Sequence, residues 1–234
     1  MDKRLNTHAL HICEIFHSFQ GESTWMGRPT IFIRLAGCNL RCRICDTKYA
    51  LTPHKLVPHK IIPISKIIKL IKPLKTPYIC ITGGEPLCQK ESVKKLIARL
   101  IKDGRKISIE TNGSLTISGI SKKVKCVMDV KTPSTGEEKS FCVKNLKLLG
   151  SDDEIKFVIS NHADFKFSVN FIKKNKLDKK CRYILFSPNL SVKGLAQNLV
   201  NWILRSNLNI IFQPQLHKLT REKPVYILKR QNLT

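Results

Sequence analysis

Residues 37–47 read GCNLRCRICDT and set Cys38, Cys42 and Cys45 at C-x3-C-x2-C spacing. Three thiolates fall one short of the four donors of a structural zinc site. No second C-x2-C pair is present to complete one, and Cys80 and Cys88 are spaced unlike a zinc ribbon. A four-iron cluster held by three thiolates instead keeps one iron open for a ligand that is not protein. The triplet therefore points to a reactive cluster rather than to a structural ion.

The residues before the triplet, TIFIRLAG (30–37), form an apolar β-rich run. Similar runs follow at 78–84, 106–113, 124–131, 154–160, 181–188 and 209–216. Amphipathic stretches at 63–72, 90–103, 162–175 and 193–206 repeat their apolar residues at helical spacing. Strands alternating with helices imply an α/β fold on a parallel sheet. Residues 8–19 read as an extra strand ahead of the repeat, and 111–123 leave no room for a long crossover helix. Four polar motifs each follow a strand: GCNLRC (37–42), TGGEP (82–86), ETNG (110–113) and DVKTP (129–133). Parallel α/β proteins bind ligands at the carboxyl ends of their strands, so the motifs are expected to share one face.

Hydrophobic residues make up 42% and charged residues 25% of the 234, ordinary values for one globular domain. The net charge of +25 comes from lysines dispersed at helical spacing, with no cluster of arginine and stacking aromatics. They read as solvated faces, and direct nucleic-acid binding is not expected. The segment MDKRLNTHALHICEIF lacks the apolar core of a secretory leader, and no apolar run reaches the ~18 residues of a membrane span. Nine cysteines in odd, scattered number fit a reducing cytoplasm, and no membrane partner is expected.

With a strand before it and TGGEP one βα unit after it, the triplet resembles the radical S-adenosylmethionine (SAM) enzymes. Three further stretches narrow the resemblance: EIFHSFQGE (14–22), PTIFIRLAG (29–37) leading into Cys38, and Asp46-Thr47 directly after Cys45. Together with DEIKFVIS and QPQLHK they are similar to the 7-carboxy-7-deazaguanine synthase family of queuosine and deazapurine biosynthesis, over nearly the whole chain. The resemblance implies a lyase on an incomplete parallel (β/α)6-type TIM barrel with an N-terminal extension. It implies one domain, with an extension at 1–29 that carries a substrate loop, a partial barrel at 30–216 and a tail at 217–234. The implied reaction takes 6-carboxy-5,6,7,8-tetrahydropterin to 7-carboxy-7-deazaguanine with ring contraction and loss of ammonia, after hydrogen abstraction by a 5′-deoxyadenosyl radical. A [4Fe-4S] cluster, SAM and Mg2+ are the implied cofactors. A flavodoxin- or ferredoxin-type reductant and a second copy of the chain are the implied partners.

Site residues follow by position. The cluster falls to Cys38, Cys42 and Cys45. SAM falls to Ile44, Cys45, Asp46, Gly84, Glu85, Asp129, Val130 and Lys131. Asp129 suits ribose hydroxyls, Lys131 a carboxylate, and Gly84 with Glu85 the SAM amino group. The pterin falls to Phe19, Gln20, Gly21, Glu22, Arg34, Thr82 and His217. Strand alternation puts Phe32, Arg34 and Ala36 opposite Ile31, Ile33 and Leu35, and an inward arginine can hold a carboxylate with its planar fork. His217 reads equally well as a structural histidine. Residue chemistry alone makes Asp46-Thr47 a helix cap, whereas the resemblance makes Thr47 a Mg2+ ligand. ETNG is either an Asx turn or part of the site wall. Ser23 stands where the family commonly has Gly, and Ile44 where it often has an aromatic. The rival readings are another radical SAM enzyme, such as a glycyl-radical activase, and a zinc-dependent RNA-binding module.

Overall fold

Residues 8–51, 59–220 and 223–229 are described by a computed structural model. The outer portions of the expected extension and tail lie outside them. Strand β1 (Ala9–Phe19) leads into β2 (Pro29–Leu35), and a short β3 (Lys60–Pro63) precedes helix α1 (Ile64–Ile71). Then come β4 (Tyr78–Gly83), α2 (Lys90–Lys102), β5 (Lys106–Thr111), β6 (Val124–Asp129) and β7 (Glu154–Ile159). Helices α3 (His162–Asn175) and α4 (Leu177–Lys180), strand β8 (Tyr183–Pro188) and helix α5 (Leu195–Ser206) follow. The described chain closes with β9 (Ile211–Phe212), α6 (Leu216–Thr220) and β10 (Val225–Leu228).

One sheet runs in the order β10-β1-β2-β4-β5-β6-β7-β8-β9, with β3 also on β1. All pairings from β2 to β9 are parallel, while β1 is antiparallel to β2, β3 and β10. β10 and β9 end the order without pairing each other, so the curved sheet is an open, partial barrel. Among the described residues, no helix is long and apolar enough to cross a membrane.

Period-two alternation explains the layers. Ile31, Ile33, Leu35, Ile79, Ile81, Ile107, Ile109, Ile155 and Phe157 belong to one apolar core, joined by Val93, Leu96, Ile97 and Leu100 of α2. Each such side chain contributes ~1.5–3 kcal/mol by leaving water. The intervening residues face inward, where Arg34 is in register with Thr82 and Asp129 with Lys156.

The loop after β1 occupies this interior. Glu22 meets Lys156, and two residues on Thr24 N donates to Glu154 Oε1 at 3.0 Å, two residues back along β7. Trp25 then lies edge-on to Tyr78 at the start of β4, centroids 5.0 Å apart. The loop thus descends into the partial barrel along β7.

The expected strand at 209–216 shrinks to Ile211–Phe212, because Pro214 has no N–H for the ladder and the flanking glutamines turn to the loop after β1. The tail returns to the sheet as β10, and β3 is a second short edge strand absent from the sequence reading. The β5–β6 crossover carries no helix, as its length requires. The β6–β7 crossover has only 3-10 turns at Pro133–Thr135 and Val143–Lys147.

Candidate active site

A cavity of ≈ 520 Å³ opens at the carboxyl ends of the strands. Every site residue expected from sequence lines it except Glu85.

The cysteine loop is held by its backbone. Gly37 N donates to Ala50 O at 2.8 Å, Cys38 N to Leu51 O at 3.0 Å, and Arg43 N to Thr135 O at 3.0 Å. Cys38, Cys42 and Cys45 are half-buried on the cavity wall; none of the other six cysteines lines it. Burial pushes the Cys38 thiol up and the Cys42 thiol up to about 11, so loading a metal must displace protons. Three soft donors facing one cavity fit a thiolate-held iron–sulfur cluster.

The TGGEP turn packs directly on that loop. Gly84 N donates to Leu35 O at 3.1 Å and Glu85 N to Gly37 O at 2.7 Å. A Cβ on Gly84 would overlap the carbonyl oxygens of Gly37 and Ala50, so only glycine allows this approach. Glu85, expected at the SAM amino group, does not line the cavity. It is fully buried, and its carboxylate accepts from Leu87 N at 2.9 Å, Thr111 Oγ1 at 2.8 Å and Asn112 N at 2.7 Å. Its physical task is to tie the TGGEP turn to the ETNG turn. Burial pushes its pKa up, against the pull of those bonds. Both readings of ETNG hold: Asn112 Oδ1 accepts from Ser114 N at 2.9 Å as an Asx turn, and Thr111 and Asn112 line the cavity.

At the end of β6, Lys131 Nζ pairs with Asp129 Oδ2 at 2.9 Å. Asp129 Oδ1 is buried without a protein partner. An orphaned acceptor on a cavity wall fits a ligand carrying hydroxyl or ammonium donors, as SAM does. Burial pushes the Asp129 carboxyl up, but Lys131 and Lys156 outweigh it and hold it below 3.8. Lys131 is likewise held above 10.5, Asp129 prevailing over burial. Val130 is buried in the cavity wall, and Ile44 presents an aliphatic surface, 39% exposed.

The pterin candidates line the same cavity. Gln20 Nε2 donates to Glu110 Oε1 at 3.2 Å, and Thr82 Oγ1 to Glu110 Oε2 at 2.8 Å. Glu22 accepts from Lys156 Nζ and Gln215 Nε2, one on each oxygen. Burial pushes its pKa up, and Lys156 outweighs that to hold it below 4.5. Arg34 Nε pairs with Glu14 at 2.8 Å, and Tyr49 OH donates to the same oxygen at 2.8 Å. Phe16 lies under the Arg34 guanidinium at 5.5 Å and stacks on Phe32 at 4.8 Å. The guanidinium therefore reaches the cavity with its Nε anchored. Phe19 is 47% exposed at the rim. His217 lies so close to Gly21 that a Cβ there would overlap its ring, and burial draws its pKa below 6.5.

Thr47 does not cap the 3-10 turn Lys48–Ala50; its hydroxyl donates to Asp46 Oδ1 at 2.9 Å, and Asp46 pairs with Lys218 at 3.3 Å. The capping alternative is thereby set aside.

Sequence reasoning missed Lys156, Gln213 and Gln215. The first was legible: a lysine on the inward register of EIKFVIS poses the same question as Arg34. The glutamines carried no such signal, because 209–216 read as a continuous strand.

The Radical SAM superfamily profile matches residues 32–125. A 7-carboxy-7-deazaguanine synthase of Koribacter versatilis is 36% identical over 220 residues, covering 89% of this chain and 96% of that protein. One from Methanospirillum hungatei is 39% identical over 209 residues, covering 89% and 84%. The crystal structure of QueE from Escherichia coli superposes with a TM-score of 0.72 at 22% identity, over 88% of this chain and 94% of that one, which supports the fold. The cysteine triplet, the glycine turn packed on it and the relatives' near full-length match agree: the chain belongs to the 7-carboxy-7-deazaguanine synthase family of radical SAM enzymes.

Proposed function

We propose that this chain converts 6-carboxy-5,6,7,8-tetrahydropterin to 7-carboxy-7-deazaguanine with release of ammonia, in queuosine or deazapurine synthesis. One observation carries the reading: a cysteine triplet and a wall of hydrogen-bonding side chains line the same cavity. Cys38, Cys42 and Cys45 would hold the cluster. Gly84, Asp129, Val130, Lys131, Ile44 and Asp46 would hold SAM. When bound, the two groups supply the one-electron chemistry that removes a hydrogen atom from the substrate.

The protein's own residues bind and orient. Gln20, the Gly21 backbone, Glu22 and Thr82 offer donors and acceptors to the flat pterin edge. Arg34 offers its remaining fork nitrogens to the carboxylate. Phe19 and His217 cover the rim and limit entry of water. Thr47 and Asp46 present oxygen donors suited to Mg2+, which would need substrate oxygens and water to fill its shell. The proposal extends to a single domain, an acidic flavodoxin- or ferredoxin-type electron donor, a homodimer and a cytoplasmic location.

Anaerobically reconstituted protein given SAM, dithionite, Mg2+ and the carboxytetrahydropterin is expected to yield deazaguanine with SAM recovered. Reductive SAM cleavage without that product would overturn the substrate assignment and favour a different radical SAM reaction.

A further inference from the structure

A lysine buried inside a barrel is costly unless it is paired, and Lys156 is 8% exposed in the middle of β7. Its neighbours in sequence, Ile155 and Phe157, belong to the apolar core on the other face of the strand. Its Nζ bonds Glu22 and stands 3.7 Å from Asp129 Oδ2. It therefore lies between the loop after β1 and the end of β6. We infer that Lys156 is a positioning residue for the reaction, fixing the Glu22 carboxylate against the substrate edge and supplying its countercharge. The inference rests on the proposed reading, in which residues 20–22 receive the pterin.

The geometry makes Glu22 unusually well held for a loop residue. One oxygen takes Lys156 from a strand in the middle of the sheet. The other takes Gln215, which follows Pro214 and precedes α6. A carboxylate oxygen bonded once keeps a second lone pair, so Glu22 can still accept N–H donors from a ligand. The loop backbone is pinned on the same side, with Leu216 N donating to Gly21 O at 2.9 Å.

The charged and titratable groups around this pair come from several elements. Asp129 reaches both Lys156 and Glu22 from β6, Glu110 faces Lys156 from β5, and His217 faces Glu22 from α6. Asp129 and Glu110 carry the same sign as Glu22, and burial draws His217 toward its neutral form. Lys156 is thus the close cation for Glu22. Without it, burial and Asp129 both favour a proton on Glu22, and a protonated carboxyl is a weaker acceptor.

The test uses Lys156→Met and Lys156→Arg in the reconstituted holoenzyme, with calorimetric binding of the carboxytetrahydropterin across pH alongside turnover. Lys156→Met is expected to weaken pterin binding and raise KM about tenfold or more near neutral pH, the effect of losing a charge-assisted hydrogen bond. Affinity should return as pH rises and Glu22 ionises, a trend the wild type lacks. Lys156→Arg keeps the charge and is expected to keep the wild-type pH response. Iron content and the far-UV circular dichroism spectrum report that each variant folds. Unchanged pterin affinity in Lys156→Met overturns the inference. So does an equal loss at every pH shared by Lys156→Arg, which assigns the lysine to folding alone. Wild-type protein that binds the pterin without forming deazaguanine sinks the proposed reaction, while the pH trend in Lys156→Met would still uphold the positioning role.

Discussion

Gln213 closes on the Ser23 peptide from both sides: its Oε1 accepts from Ser23 N at 2.7 Å and its Nε2 donates to Ser23 O at 2.7 Å. Ser23 holds φ +63, the left-handed region that favours glycine, and its Oγ accepts from Trp25 N at 3.0 Å. The family's common Gly at this position has a physical reason, and here a side-chain amide and a hydroxyl take its place. Gln213→Leu strands two buried backbone groups and is expected to cost ~2–4 kcal/mol in urea unfolding. Ser23→Gly trades relieved strain for a lost hydrogen bond and should stay within ~1 kcal/mol of wild type. A neutral Gln213→Leu would refute the clamp.

Replacing Cys38, Cys42 or Cys45 singly with Ala is expected to empty the cluster site, read as iron and sulfide per chain after anaerobic reconstitution. Cys88 is the informative control. It is exposed, and its Sγ lies 3.9 Å from Asn39 Oδ1, beside the triplet. Cys88→Ala should retain full iron, because Cys88 does not line the cavity.

Gly84→Ala drives a methyl group into the Gly37 and Ala50 carbonyls, both backbone atoms that cannot swing aside. Overpacking of this kind costs ~1–3 kcal/mol. The larger effect falls on the cysteine loop, which is hydrogen-bonded to the same turn. Cluster occupancy is expected to fall by more than the loss of thermal stability alone explains.

Arg34→Ala removes the cation beside Glu14, whose side chain is 5% exposed. Turnover of the pterin is expected to be lost, with reductive SAM cleavage and iron content preserved, because neither depends on the carboxylate contact. Wild-type turnover in this variant would refute Arg34's role.

The chain Glu22–Lys156–Asp129–Lys131 also fixes a pH signature. Glu22 and Asp129 are held below 4.5 and 3.8, so their contribution is full above those values and lost as pH falls through the lower folded ones. Lys131 and Lys156 are held above 10.5, so theirs is full below that value and lost as pH rises through the higher folded ones. The stability difference between wild type and Lys156→Met, from unfolding curves, should widen as pH rises from about 5 through neutral, where Glu22 of the variant ionises, and shrink above about pH 10 as Lys156 of the unfolded wild type loses its proton.

The frame of this fold was legible because inward and outward residues alternate cleanly in each parallel strand. Ile31, Ile33 and Leu35 could only face a core, and that assignment left Arg34 pointing inward. Strand ends and edges were less legible. β3 and β10 are four residues each and draw their partners from β1, which no local pattern reveals. Glu85 shows a different gap. A motif places a carboxylate near a ligand, but the direction of its oxygens depends on two backbone N–H groups, one of them from ETNG, 27 residues on. Gln213 and Gln215 escaped notice because an amide in a strand-like run carries no charge to demand a partner.

The cysteine loop and the glutamines that hold Ser23 and Glu22 lie far apart along the polypeptide. During synthesis, Cys38, Cys42 and Cys45 emerge from the ribosome long before Gln213, Gln215 and His217. The loop that carries Gln20, Gly21 and Glu22 therefore gains its anchors only once translation has delivered Gln213 and Gln215.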